Sequence, residues 1–359
     1  MLKLSKYKKT IITLCSSIVI FIILRHLFEL SKPTVETNHY LFSNHHQQLL
    51  NITLNYKLNT IELCNTSEAL LAIVIVTSYF GNVETRSWIR KVFEKHKILS
   101  VKLVFLLGEA PRDKYTTQKV INGESDAFRD IVQGNFTEAY RNLTYKHVMG
   151  LKWAGKYCSK AKYVVKMDDD TVINISNLKG MLNSLHAIQN EDFIAGYKLE
   201  HMKPIRNSDN KWFVTQEEYS ESTYPTFLSG WFYITTTEVA RKLAQAANYD
   251  KFFWIDDVFV TGILSRRLKL TLYDFSEHFA VNSELLQCCL QDFEKHIQCD
   301  ASVGPNGGDN KMIYVFNEKF QKCVHSKCSK RLKPLNETCV AIRKVNLGQG
   351  GAEIHSVKL

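Results

Sequence analysis

The sequence predicts an α/β fold of the doubly wound kind, a central sheet with helices on both faces. Residues 70–78 and 101–108 are continuous apolar runs, the mark of parallel strands buried on two sides. Residues 82–96 read as helical between them. From residue 137 the positions Tyr140, Leu143, Val148, Leu151 and Ala154 follow helical spacing to about Tyr157. Strand alternating with helix, repeatedly, is the pattern of a sheet wound in both directions.

Taken in order, the chain opens on Lys3, Lys6, Lys8 and Lys9, followed by an apolar stretch at 11–24 that Arg25 and His26 close. A bilayer span takes about 20 residues, so this is a short one. No small-x-small cleavage site follows Leu24, which argues against a removable leader. Basic residues in front of the span place the N-terminus in the cytosol. The expected organisation is a cytoplasmic tail at 1–10, a single transmembrane signal anchor at 11–30, a polar lumenal stem at 31–68, a globular domain at 69–345 and a tail at 346–359.

Two features fit a lumenal body. Asn-x-Ser/Thr acceptors occur at Asn51, Asn65, Asn135, Asn142, Asn174 and Asn336. Of the nine cysteines only Cys15 lies in the span. The other eight permit four disulfides in an oxidising compartment, with the pairing open. The spacing of Cys323 and Cys328 is loose for zinc, and no second pair matches. The net charge of +10 is scattered apart from the N-terminal lysines and a cluster near 327–333, with no recognition motif, which excludes a nucleic-acid partner.

Within the globular part, residues 163–167 form a strand-like run that ends in Asp168-Asp169-Asp170, with a second apolar step at 171–174. Three adjacent carboxylates repel one another unless a cation arrives. At the carboxyl end of a strand, where ligands of open α/β sheets bind, they suit a hard divalent ion shared with substrate phosphates. An acidic surface turn is the alternative. Ser176 is placed to cap a helix carrying Leu178, Met181, Leu182 and Leu185. Strands are expected at 130–132, 194–199, 211–215 and 231–235, and Thr236 or Thr237 caps a helix running to Ala247. Asp256 and Asp257 open another helix, where the helix dipole alone would favour them. Beyond about residue 280 the chain reads as Cys-rich and irregular.

The order of Arg86-Ser87-Trp88-Ile89-Arg90, Val104 to Gly108, Asp130-Ile131, Tyr140-Arg141-Asn142-Leu143-Thr144 with Lys146, Asp168-Asp169-Asp170, Lys211-Trp212, Tyr224-Pro225, Ser229-Gly230 and Asp256-Asp257-Val258 resembles the β1,3-galactosyltransferase-type glycosyltransferase family. The similar segments span roughly residues 70–270. Departures are Phe93 where the family's first helix usually has Trp, Leu228 where Cys often precedes the Ser-Gly pair, and Trp231 where a second Gly is usual.

The resemblance implies a GT-A fold (Rossmann-like, with a mixed central sheet), a UDP-sugar donor, Mn²⁺, inversion at the anomeric carbon, and a single-pass type II protein of the Golgi membrane. The acceptor would be a glycan on a glycoprotein or glycolipid. Asp170 and Asp168 are the expected metal ligands, with Asp169 in support. Arg86, Arg90 and Lys146 are candidates beside the diphosphate, although salt bridges between helices would also explain them. Tyr224, Ser229 and Gly230 match the loop beside the sugar, Asp257 the base and Asp256 its neighbour. His296 is a candidate metal ligand or an ordinary surface His. Galactose is the leading donor sugar, with GlcNAc, GalNAc or a catalytically silent lumenal partner as alternatives. A metal-free glycoside hydrolase is the third reading. Asn142 within a helix and Asn174 behind the Asp triplet are expected to be poorer glycan acceptors than Asn51, Asn65 and Asn336.

Overall fold

Strand formation follows the apolar runs. In the computed structural model, which describes residues 55–65, 69–96, 100–110, 116–186, 192–345 and 353–358, β1 is Tyr56–Leu58, β2 Ala72–Thr77, β3 Val101–Glu109, β4 Ile131–Thr137, β5 Tyr163–Asp168, β6 Thr171–Ile173, β7 Phe193–Leu199, β8 Phe227–Thr236 and β9 Thr271–Asp274. Eight of these build one mixed sheet in the order β1-β4-β3-β2-β5-β8-β7-β9. The run β4-β3-β2-β5 is parallel, β8 enters antiparallel to both β5 and β7, and β9 is parallel to β7.

Period-two alternation divides the apolar strands between two cores. Ala72, Val74 and Val76 of β2 face one, where α1 (Val83–His96), α2 (Gln118–Phe128) and α4 (Ile175–His186) contribute Ile89, Ile121 and Leu182. Ile73 and Ile75 face the other, where α3 (Leu143–Tyr157) and α5 (Thr237–Ala246) contribute Met149, Trp153 and Leu243. Side chains this deeply buried contribute about 1.5–3 kcal/mol each by removal from water. Gly150 is what lets α3 sit so close: a Cβ there would lie 2.2 Å from Leu106 Cδ1.

β2 is the switch point of the winding. The chain passes from β2 through α1 to β3 on one side, and β5 lies against β2 on the other, with Thr77 in register with Asp168. A crevice therefore opens at the carboxyl ends of β2 and β5.

The structure departs from the sequence reading in several places. Residues 211–215 form no strand; Phe213 makes one isolated bridge with Ile205, and the segment is turns. The strand expected at 231–235 begins earlier, at Phe227, as β8. Asn174, rather than Ser176, caps α4, its Oδ1 accepting from the backbone N–H of Ser176 at 3.1 Å and of Asn177 at 3.3 Å. The helix opened by Asp256 and Asp257 continues as a π-helical segment, Val258–Leu264, into α6 (Ser265–Leu268). Beyond residue 280 the described residues form regular elements: α7 (Ser283–Glu294), β10 (Val303–Pro305) paired with β6, α8 (Met312–His325), α9 (Leu335–Thr338), and β11 (Val340–Val345) paired with β12 (Glu353–Lys358).

Disulfides join Cys64 to Cys158, Cys288 to Cys339, Cys289 to Cys299 and Cys323 to Cys328. The first, with β1 on the edge of the sheet and Trp153 Nε1 donating to Asn59 Oδ1 at 2.8 Å, brings the end of the expected stem into the globular unit. The expected span at 11–30, most of the stem and Asn51 lie outside the described residues. Among those described, no helix is long and apolar enough to cross a membrane.

Candidate active site

The crevice between β2 and β5 is a cleft of about 350 Å³, lined by residues 77–79 after β2, by Glu138 to Tyr140 and Lys146, by Asp168 to Asp170, and by Asp256. It thus gathers the Asp triplet and Asp256, the first residue of the second acidic pair, which lie nearly ninety positions apart in the chain. A larger groove of about 640 Å³ is lined by Lys95, His96, Glu318 and His325. Its one carboxylate is already paired with Lys95 at 2.5 Å, so it offers no facing acids.

Each member of the triplet has a different setting. Asp168 ends β5 and is met by Lys166 Nζ at 2.6 Å. Burial pushes its carboxyl up, and the Lys166 ammonium works against that. Asp169 is tied down: its Oδ2 accepts from Ser78 Oγ at 2.7 Å, Asn82 Nδ2 at 3.0 Å and the Tyr79 N–H at 3.3 Å. Asp170 is the most exposed of the three. Burial of its carboxyl and the charges of Asp168 and Asp169 push it up to about 6. Among the described residues no three His, Cys, Asp or Glu side chains converge on one point. The chain can therefore offer a cation two carboxylates here, Asp170 and the lysine-paired Asp168, and the remaining ligands would have to come from substrate. That is the ligand set a hard divalent ion takes when it is carried by a diphosphate.

Opposite, Asp256 is buried and accepts from a buried histidine, with His147 Nδ1 to Asp256 Oδ2 at 2.8 Å. Burial raises its carboxyl, but this hydrogen bond and the nearby Lys166 charge outweigh it and hold Asp256 below the usual value. Asp257 has the reverse balance. Burial and the negative Asp256 beside it push Asp257 up to about 8, against a hydrogen bond from the Gly230 N–H. Gly230 is indispensable to this packing, since a Cβ there would lie 1.8 Å from Asp257 Oδ1. Lys166 donates to the Gly230 carbonyl as well as to Asp168, so one buried ammonium joins the triplet to the strand beneath Asp257.

Other residues singled out from the sequence have different places. Arg86 is fully buried: its Nε and Nη2 meet the Glu124 carboxylate at 2.8 and 2.6 Å, and its Nη groups donate to the Tyr79 and Phe80 carbonyls. Arg90 is paired with Asp130 at 2.7 Å and with Glu124 at 2.8 Å. Neither lines the cleft. The salt-bridge alternative describes both, and Arg86 serves the site by holding the loop after β2. Lys146 does line the cleft, but its ammonium is committed to Glu138 Oε1 at 2.5 Å and the Ser78 carbonyl at 2.7 Å.

Tyr224 packs with Tyr219, Phe227 and Phe253 instead of lining the cleft, and burial pushes its phenol up to about 12. Ser229 is buried on β8. Trp231 is turned edge-on against Phe279 at 5.1 Å. His296 is in a turn after α7, hydrogen-bonded to Ser326 Oγ at 3.1 Å. Asn174 is buried as the α4 cap. Asn65 and Asn135 are exposed, Asn142 is half-buried with its amide on the Thr137 carbonyl, and Asn336 lies in α9.

Lys166 and His147 were not found from the sequence. A lone polar residue inside an apolar strand or helix has no periodic signal. What marks them is burial beside acids, which only the fold supplies.

Comparison with known proteins identifies the family. The family model described as Galactosyltransferase matches residues 83–276, which includes the Asp triplet and the acidic pair. The chain is 31% identical over 246 residues to beta-1,3-galactosyltransferase 1 of Mus musculus, covering 66% of this chain and 74% of that one. It is 32% identical over 222 residues to lactosylceramide 1,3-N-acetyl-beta-D-glucosaminyltransferase of Xenopus tropicalis, covering 59% and 58%. Among solved structures, a galactosyltransferase in complex with donor and acceptor sugar analogs aligns at a TM-score of 0.38 and 10% identity, covering 71% of this chain and 95% of that one. The chain belongs to the β1,3-galactosyltransferase-type glycosyltransferase family and is a glycosyltransferase.

Proposed function

We propose that the protein transfers a hexose, with galactose as the leading donor sugar, from a UDP-sugar to an acceptor glycan of a glycoprotein or glycolipid, forming a β1,3 linkage with inversion. The observation that carries this reading is the single cleft that Asp168 and Asp170 share with Asp256, whose neighbour Asp257 packs against Gly230. The mixed sheet with its crevice at the β2 and β5 ends supports a GT-A type fold. In the same reading the chain works in the Golgi lumen, held by a single type II anchor at 11–30.

Asp170, with Asp168, would hold a Mn²⁺ ion, which when bound supplies positive charge to the diphosphate leaving group. The chain's own residues do the rest. Lys166 keeps Asp168 in place, and the hydrogen bonds on Asp169 fix the end of β5 against the loop after β2. Asp257 takes the proton of the acceptor hydroxyl as that oxygen bonds to the anomeric carbon, and UDP leaves from the opposite face with the bonding electron pair. A carboxyl held near 8 is a strong base once ionised, which suits a hydroxyl proton. Asp256 stays ionised and orients its neighbour.

A second reading keeps the chemistry and changes the donor to UDP-GlcNAc. The similarity to the Xenopus tropicalis N-acetylglucosaminyltransferase favours it. UDP release from UDP-Gal, UDP-GlcNAc and UDP-GalNAc, with galactoside, glucosaminide and mannoside acceptors and with Mn²⁺ or EDTA, separates the two. Metal-dependent turnover abolished by Asp257→Asn supports the mechanism. No binding of any UDP-sugar overturns it.

A further inference from the structure

The rim of the cleft carries aromatic surface that the transfer chemistry leaves unused. Tyr140 lines the cleft and is 48% exposed, and Trp212 is 43% exposed. Exposed rings of this size beside a polar cleft are costly to leave in water unless something covers them in use. The two are linked through their chain neighbours, because Arg141, next to Tyr140, donates to the carbonyl of Phe213, next to Trp212, at 3.3 Å.

Both rings sit on firm supports. Tyr140 belongs to a 3-10 turn, Tyr140–Asn142, that runs directly into α3, and its ring lies 6.1 Å from that of Trp254. Trp212 is on a long loop that Arg206 helps to hold. That guanidinium donates to the carbonyls of Val214 at 2.8 Å, Thr215 at 2.7 Å and Tyr219 at 2.6 Å. Arg141 then ties loop to turn, meeting Glu218 at 2.5 Å and the Phe213 carbonyl at 3.3 Å while its guanidinium lies 4.4 Å from the Trp254 ring. Trp254 keeps a buried indole N–H with no partner among the described residues. The Lys211 ammonium rests 4.1 Å from the Trp212 ring.

We propose that Tyr140 and Trp212 form the platform on which the acceptor glycan lays the C–H face of a neutral pyranose, setting its hydroxyl beside Asp257. This rests on the glycosyl-transfer reading above. The acceptor, not the donor, is the occupant because a diphosphate belongs with Asp168 and Asp170 at the strand end, whereas Tyr140 stands in the field of Asp256 and Asp257. After burial, those two charges and Asp168 are what raise its phenol. The same carboxylates disfavour an acidic sugar. Flat rings supply contact area at little cost in side-chain order, and the polar neighbours fix orientation.

Tyr140→Ala and Trp212→Ala test this in the full chain. Each is expected to raise the acceptor KM by about tenfold or more while the UDP-sugar KM moves by less than about threefold, and the two Phe variants stay near wild type. Saturation-transfer NMR with methyl β-galactoside and methyl N-acetyl-β-glucosaminide reads the platform even without turnover. Loss of the sugar C–H signal in the Ala variants supports the proposal. Equal signal in wild type and both variants, no signal in wild type, or an unmoved acceptor KM overturns it. A wild-type protein that binds these sugars through the platform but turns over no UDP-sugar counts against the transferase reading alone.

Discussion

His147 and Asp256 meet inside the protein, Nδ1 to Oδ2 at 2.8 Å, and the far side of the same imidazole meets the Tyr233 hydroxyl at 2.7 Å. Burial lowers the basicity of His147 and outweighs the nearby Asp256 charge, so the ring is neutral and carries one N–H. An ionised Asp256 can only accept, which places that hydrogen on Nδ1 and leaves Nε2 to accept from Tyr233. The chain of donors thus runs from strand β8 through helix α3 to the residue beside Asp257.

That arrangement has a pH signature. The folded His147 protonates below the value of about 6.5 that it has in the unfolded chain. On acidification the unfolded state takes up the proton first, so the stability supplied by neutral His147 is full above about 6.5 and is lost as pH falls below it. Wild type and His147→Gln should therefore differ most in thermal stability near about pH 7.5 and least near about pH 5, with a slope of at most about 1.4 kcal/mol per pH unit. A difference constant across that interval would show that the imidazole is not held neutral.

Asp257 predicts the opposite sign. Its folded value of about 8 lies above the unfolded carboxyl value, so the native state keeps a proton that the unfolded chain has released. Stability then falls as pH rises from about 4 to about 8. Asp257→Asn has no such cost and can still accept from the Gly230 N–H. In metal-free buffer the variant should melt higher than wild type at about pH 8.5, with the gap closing toward about pH 4.5, while transfer falls by about 100-fold or more. Melting curves that superimpose at both pH values would show an ordinary exposed carboxyl.

How much of this could be read beforehand depended on the kind of signal. The runs at 72–77, 101–109 and 163–168 are buried on both faces and announce themselves by unbroken apolar sequence. The acids were visible because three in a row after a strand, and two at a helix start, are locally odd. Helix α2 escaped because most of its surface is exposed and only Ile121 and Glu124 are buried. The helices after residue 280 were masked by their cysteines, whose four bridges reveal nothing of helical order. Arg86 and Arg90 looked like diphosphate ligands because Glu124 and Asp130, their partners, stand more than thirty positions away. Long-range pairing of charges has no sequence period.

The close approach of Gly230 to Asp257 makes Gly230→Ala a sharper probe than a change of charge. A methyl group 1.8 Å from Oδ1 must push the carboxylate aside or shift β8. Overpacking of this kind costs about 1–3 kcal/mol. The expected outcome is a folded protein with its disulfides intact, a modestly lower melting temperature, and transfer reduced toward the level of Asp257→Asn. Wild-type kcat in Gly230→Ala would mean that Asp257 does its work from another position.

Lys166 is the last link, since its ammonium serves both Asp168 and the Gly230 carbonyl. Burial opposes its charge, yet Asp168, Asp256 and Asp257 together raise its basicity, so it stays ionised. Lys166→Met fits the volume but strips the acids of their fixed cation. Removing one partner of a buried pair costs about 3–5 kcal/mol, and Asp168 keeps 33% of its side chain in solvent, so about 2–3 kcal/mol is the expected loss. Urea unfolding of the two proteins at neutral pH measures it. Because Asp168 and the ionised Asp256 then repel one another without relief, added Mn²⁺ should recover more stability in Lys166→Met than in wild type. Equal recovery in both would mean that Lys166 does not share its charge with the residues that would hold the ion.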